Sequence, residues 1–178
     1  LNVVEKRQDG YHNIETVFYP IGLCDVLEIE PSEGCTDYSF SASGIPLSGD
    51  PEENLIVKAY RLLQSEYDIP PVDISLIKQI PFGAGLGGGS ADAAFTLKML
   101  NEMFELKITP RKLEKMAADL GADCPVFIRN KAVFATGIGN IFTPVKISLK
   151  GYFLVLIKPD IHVSTPEAYS LVIPEKSD

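Results

Sequence analysis

Apolar and polar positions alternate along the first third of the chain and adopt a helical period only after residue 50. LNVVE (residues 1–5) reads as a short strand, and KRQDGYH as a turn in which Asp9-Gly10 suits a positive φ. NIETVFYPIG and CDVLEIEP are rich in β-branched and aromatic residues and read as strands. EGCTDYSFSASGIPLSG reads as one more strand and a loop. A helix is expected from Asp50, with Asp50 as cap, Pro51 in the first turn and Glu53 three residues after the cap. Leu55, Ile56, Ala59, Leu62 and Leu63 form its apolar face. VDISLIKQI follows as a strand with Val72, Ile74 and Leu76 alternating.

Directly after that strand comes PFGAGLGGGSADAA, residues 81–94, with five glycines between Gly83 and Gly89. A helix follows, with Ala93, Leu97, Leu100 and Phe104 on one stripe. The next helix starts at Thr109-Pro110, carries Leu113, Met116, Ala117 and Leu120, and ends at Gly121. CPVFI and AVFATG are expected as short strands around a turn at Arg129-Asn130-Lys131. YFLVLIKP is expected as a buried strand that opens a second domain. Strands come first and helices are inserted later, which predicts an α+β fold. No internal repeat is present.

Composition narrows the function classes. The 178 residues are 46% hydrophobic, enough for one ordinary domain or one domain and part of a second. The net charge of −8, from 16 basic and 24 acidic residues, argues against nucleic acid as a partner. No apolar run reaches the roughly 18 residues of a membrane span. Cys24, Cys35 and Cys124 form no CxxC pair, which points to reduced cysteines and a cytoplasmic location. The missing initiator Met and the abrupt ends make a fragment of a longer protein the expectation.

The glycine tract carries the chemistry. Strand, glycine loop and helix in succession point backbone N–H groups and a helix dipole at an anion. Glycines supply positive φ and leave no Cβ in the way. Ser90 could cap the helix or donate to a phosphate oxygen. A Walker loop needs Gly-Lys-Ser/Thr, and no lysine follows these glycines. Gly83, Gly85 and Gly88 fit GxGxxG, but the tract does not open a βαβ unit, which disfavours a dinucleotide fold and a dehydrogenase.

With Pro81, Gly85, Leu86, Gly87, Ser90 and Ala93 in place, the tract resembles the phosphate-binding loop of the GHMP kinases, the superfamily of galactokinase, homoserine kinase and mevalonate kinase. KRQDGYHNIETVF, ENLIVKAY, GADCPVFI and AVFATGIGNIFTPV resemble the branch of that family acting on a cytidine diphosphate methylerythritol in non-mevalonate isoprenoid biosynthesis. The resemblance covers nearly the whole chain. It implies a ribosomal protein S5 domain 2-like nucleotide-binding domain over 1–148, with 149–178 beginning a truncated ferredoxin-like domain. It also implies ATP and Mg2+ as cofactors and phosphoryl transfer to the 2-hydroxyl of the methylerythritol part.

By the same resemblance, Pro81, Gly83, Gly85, Leu86, Gly87, Gly88, Gly89 and Ser90 hold the phosphates, and Asn54 and Leu55 lie near the adenosine. Lys78 meets the phosphates or ribose, or is a solvated strand lysine. Asp123 is the general base. Tyr11 and His12 bind cytosine, and Tyr169 closes over the base. His162 is read as an ordinary histidine, and no residue is assigned to metal.

Two departures from the pattern matter. The family's Ala-Lys-Ile-Asn strand, whose lysine serves the catalytic Asp, has no counterpart, and Ala91 stands where the family often has a second Ser. The chain itself is therefore expected to be catalytically weak or dead. The alternatives are another GHMP kinase, of homoserine or mevalonate type, and a non-catalytic nucleotide-binding fragment.

Overall fold

The computed structural model describes residues 1–34, 36–159 and 165–175. In chain order its elements are β1 (Asn2–Lys6), β2 (His12–Phe18), β3 (Val26–Pro31), β4 (Tyr38–Gly44), a one-turn 3₁₀ helix (Pro51–Glu53), α1 (Leu55–Glu66), β5 (Val72–Lys78), α2 (Gly88–Met103), α3 (Pro110–Leu120), α4 (Cys124–Arg129), β6 (Val133–Thr136), β7 (Ile141–Pro144) and α5 (Thr165–Ser170). This is the expected α+β composition. The chain divides into two compact units: Ile21–Arg129, and Leu1–Pro20 together with the segment from Asn130 onward.

The unit Ile21–Arg129 is a three-stranded sheet with helices on one face. Strand order is β3-β5-β4, with β5 antiparallel to β3 and parallel to β4. Alternation along β5 sends Val72, Ile74, Leu76 and Lys78 inward, and Ser75 and Ile77 outward. Against the inner face pack Ile56, Ala59, Tyr60 and Leu63 of α1, Ala93, Ala94, Leu97 and Leu100 of α2, and Leu113, Met116 and Ala117 of α3. β4 ends on Gly44, φ +83°, where an added Cβ would lie 2.3 Å from the Lys78 carbonyl oxygen. Only glycine lets β4 approach the end of β5 so closely.

The other unit holds a four-stranded antiparallel sheet, β1-β2-β6-β7. Val3, Ile14, Val133 and Ala135 are its buried apolar residues, and His12 is buried with them. Its first hairpin turns at Gly10, φ +87°, and the turn is pinned by Arg7, whose guanidinium donates to Asp9 at 3.0 and 2.7 Å.

Three local expectations are corrected. Asp50 caps the 3₁₀ turn, accepting from the Glu52 amide, and α1 itself is capped by Asn54, whose Oδ1 accepts from the Ile56 N–H at 2.9 Å. Each polar cap claims one turn, so the capping box splits into two successive caps.

CPVFI is the helix α4, with Cys124, Pro125, Val126 and Ile128 buried. A five-residue apolar run cannot separate strand from helix by period, and Pro125 tips it, since proline suits a first helical turn and not a strand interior. YFLVLIKP is neither a strand nor buried: Phe153 is 97% exposed and Ile157 86%. An apolar run becomes a strand only with a partner backbone, and no described strand pairs with it.

Leu97 is fully buried where α2 meets the core. Leu97→Ala is expected to lower unfolding free energy by about 2–5 kcal/mol, read by urea denaturation followed by circular dichroism. Lys115→Ala, on the exposed face of α3, is expected to stay within about 0.5 kcal/mol of the parent.

Candidate active site

β5 delivers the chain into the glycine loop, and the loop delivers it into α2. Gly83, Gly85 and Gly87 all have φ between 64° and 69°, the left-handed region that side chains avoid. Gly87 is the N-cap of α2, with no side-chain cap bond. The first α-helical hydrogen bond runs from Ala91 N–H to the Gly87 carbonyl at 2.8 Å. The amides of Gly88, Gly89 and Ser90 thus form a first turn that the helix cannot satisfy itself. Ser90 does not cap this helix, contrary to one expectation. Its hydroxyl donates to Asp123 Oδ1 at 2.8 Å.

Asp123 sits in the turn between α3 and α4. Gly121 closes α3 with its N–H on the Ala117 carbonyl, and the Val126 N–H bonds the Asp123 carbonyl at 3.3 Å. A Cβ at Gly121 would meet Cys124 Sγ at 3.0 Å. On the other side, a Cβ at Gly87 would strike the Phe127 ring at 2.8 Å and lie 3.6 Å from Asp123 Oδ2. The glycines therefore set the loop directly against the Asp123 carboxylate. Cys124 beside it is buried, which pushes its thiol up to about 11 and keeps it inert.

Beneath the loop lies a buried charge cluster. The Lys78 side chain is 2% exposed and contacts Asp25 Oδ2 at 2.5 Å and Asp92 Oδ2 at 2.8 Å. It is not a solvated strand lysine. The second oxygen of Asp25 accepts from the Gln79 and Ile80 amides at 2.6 and 2.8 Å. Burial works against the Asp25 charge, but the ammonium and the two amides outweigh it and hold the carboxyl below its usual range. For Asp92 burial wins over the pull of Lys78, and its carboxyl is pushed up to about 6.

The remaining expected residues fall in separate places. Leu55 opens α1 beside the loop, with its Cδ1 3.8 Å from a Cβ built on Gly89. Asn54 spends its side-chain oxygen on the α1 cap. In the other unit His12 is 9% exposed and stacks on Tyr169, with centroids 5.2 Å apart and planes at 29°. Tyr11 is 62% exposed, and its N–H donates to Asp9 Oδ1. His162 lies outside the described residues. Asp25 and Asp92 were missed. An acid near a helix start is ordinary, and so is an acid just before a strand, so neither position stands out in sequence.

This cradle fits a phosphate: three first-turn amides, the N-terminal end of a sixteen-residue helix, and two glycines, Gly87 and Gly88, where a Cβ would clash. Among the described residues no group of three or more His, Cys, Asp or Glu side chains could hold a metal ion. No helix there is long and apolar enough to cross a membrane.

A glycine-capped helix fed by a central strand and faced by a carboxylate defines a phosphate-handling domain, and the comparisons with known proteins say which. Residues 54–131 match the GHMP kinases N terminal domain, and the α+β fold is the one that match implies. It is 60% identical over its whole length to a 4-diphosphocytidyl-2-C-methyl-D-erythritol kinase of Bacteroides fragilis, spanning 65% of that relative. It is 59% identical to the kinase of the same name from Parabacteroides distasonis, with 98% of this chain and 63% of the relative covered. A crystal structure of 4-(cytidine 5'-diphospho)-2C-methyl-D-erythritol kinase superposes with a TM-score of 0.70 at 35% identity, covering 83% of this chain and 51% of that one. The chain thus spans less than two thirds of the length of these curated relatives.

The raised Asp92 carboxyl makes stability depend on pH. Unfolded, Asp92 titrates near 3.8, and folded at about 6. Above pH 6 both states are ionised and the full cost of the buried charge is present. As pH falls through 6 the native state takes up its proton first, and the cost fades to nothing below 3.8. Asp92→Asn is therefore expected to stabilise the chain by about 2 kcal/mol at pH 7.5. The gain should shrink to under half at pH 4.5, as measured by urea melts at the two pH values.

Proposed function

We propose that this chain is the nucleotide-binding part of an ATP-dependent kinase that phosphorylates the 2-hydroxyl of 4-diphosphocytidyl-2-C-methyl-D-erythritol, a step of non-mevalonate isoprenoid biosynthesis. One observation carries the reading: the Asp123 carboxylate is hydrogen-bonded to the first turn of a glycine-capped helix. That supports reading Asp123 as a proton acceptor beside an anion cradle, the two things a phosphoryl transfer to an alcohol needs. The names of the close relatives support the substrate.

In this reading the amides of Gly88, Gly89 and Ser90 hold the ATP phosphates, with Pro81, Gly83, Gly85, Leu86 and Gly87 shaping the loop. Asn54 and Leu55 line the adenosine side. Lys78 supports the loop from below rather than meeting the phosphates, since two carboxylates already hold its ammonium. ATP supplies the γ-phosphoryl group, and Mg2+ is carried on its phosphates. Asp123 takes the proton of the substrate hydroxyl as that oxygen bonds to the γ-phosphorus, and the bond to ADP breaks. Tyr11, His12 and Tyr169 hold the cytosine, with the stacked His12–Tyr169 pair supplying an aromatic surface for the base.

A second reading, nucleotide binding without turnover by this stretch alone, is favoured by one fact: among the described residues no ion pair reaches Asp123.

The deciding assay is phosphoryl transfer from ATP to 4-diphosphocytidyl-2-C-methyl-D-erythritol. It compares this chain, a version extended to the full length of its relatives, and Asp123→Asn in the extended form. Turnover by the extended protein, cut by about 10²-fold or more in Asp123→Asn, is the expected result. An extended protein that binds ATP but ignores the cytidine substrate would refute the substrate and return homoserine- or mevalonate-type kinases to consideration.

A further inference from the structure

The buried cluster beneath the loop has three partners, and two of them are joined to the loop itself. Lys78 is the last residue of β5, and Gln79 and Ile80 are the first two residues of the connection that becomes the glycine tract. Asp25 stands one residue before β3, opposite Lys78 in the antiparallel register set by Val26 and Ile77. One of its oxygens takes the ammonium and the other takes both amides. Its side chain is 2% exposed, so water competes little for the bonds to Lys78 and Ile80.

The far side of the cluster is α2. A Cβ on Gly88 would lie 3.1 Å from Lys78 Nζ and 2.8 Å from Ile80 Cγ2, so the first residue of the helix rests on Lys78 and Ile80. Asp92, one turn further along α2, reaches back to the same ammonium at 2.8 Å. A rigid path thus runs from Asp25 through Lys78 and Ile80 to the helix end whose amides form the cradle.

We propose that Asp25 is a positioning residue for the glycine loop: by gripping Lys78 and the Gln79 and Ile80 amides, it fixes where the first turn of α2 aims its N–H groups, and so sets the affinity for a nucleotide's phosphates. The inference rests on the kinase reading above and adds a residue that touches neither substrate nor nucleotide. Asp92 plays the smaller part, since it holds only the ammonium.

The test is calorimetric titration of ATP with magnesium into the chain and into Asp25→Ala and Asp25→Asn, with amide hydrogen exchange on each. Asp25→Ala leaves the amide of the buried Ile80 without its partner and the Lys78 ammonium with Asp92 alone, and is expected to weaken ATP by about 10-fold or more. Asp25→Asn keeps an oxygen for those amides and is expected to recover affinity to within about 3-fold of the parent, because only the charge is lost. Exchange should quicken at Gln79–Gly89 in both variants and stay unchanged in α3.

If Asp25→Ala binds ATP like the parent, or if exchange rises uniformly across the unit, the positioning role is wrong. Should the alanine variant not fold, Asp25→Asn decides by exchange alone: confined quickening supports the role, and an unchanged loop overturns it. A parent chain that does not bind ATP would sink the kinase reading and this inference with it. That outcome is distinct from an Asp25 variant that binds normally.

Discussion

A lysine with its ammonium out of water must be neutralised where it stands, and the unit around β5 is arranged to do so. Lys78 continues the inward alternation of Val72, Ile74 and Leu76, so the strand's own period drives its side chain into the core. An unpaired charge there would cost several kcal/mol, so the fold supplies Asp25 from one side and Asp92 from the other. Those two acids come from the residue before β3 and from the first turns of α2. Meeting at one ammonium, they fix the end of the sheet against the start of the helix. The cluster carries one negative charge more than it needs, and the strain falls on Asp92, whose carboxyl rises to about 6 while that of Asp25 is held low.

Glycine makes this meeting possible, and each critical glycine answers a specific contact. Gly44 admits the backbone of β4 to the Lys78 carbonyl, Gly88 lets α2 sit on Lys78 and Ile80, and Gly87 clears the Phe127 ring. Gly87 also needs its left-handed φ to turn the chain into the helix. The entropy that such residues lose on folding is offset by packing that no side chain would permit. In the loop, Gly87 and Gly88 answer close contacts, and Gly83, Gly85 and Gly87 supply left-handed φ.

Much of the fold was legible in sequence because its signals are periodic. β5 alternates, α2 and α3 carry apolar stripes, and Thr109-Pro110 and Gly121 mark the ends of α3. What failed depended on partners. CPVFI is too short for its period to speak, and its place is decided by packing among α2 and α3. YFLVLIKP has strand-like residues but no described strand beside it. Of the candidate site, the glycines and Ser90 stood out in composition, and Asp123 only through the family resemblance. The site was not legible at Asp25 and Asp92, since a lone acid is common on any surface and only the tertiary position of Lys78 gives these two a purpose. His12 and Tyr169, 157 residues apart in sequence, could be paired by resemblance alone, and the stacked rings give that pairing a physical basis.

The Ser90–Asp123 hydrogen bond also sorts the donors of the cradle. A serine hydroxyl has one proton to give, and here Asp123 takes it. The amides of Gly88, Gly89 and Ser90 have no such claim on them within the helix, because α-helical bonding begins only at Ala91. An anion arriving at this helix end would therefore find backbone donors first. Backbone donors carry no side-chain rotamer entropy and cannot swing away, so their aim depends wholly on where the helix is held. The same dependence explains why Ala91, standing where a second serine often stands in the family, leaves the cradle intact. The donors that matter are the amides of Gly88, Gly89 and Ser90, while the amide of residue 91 is already bonded to the Gly87 carbonyl.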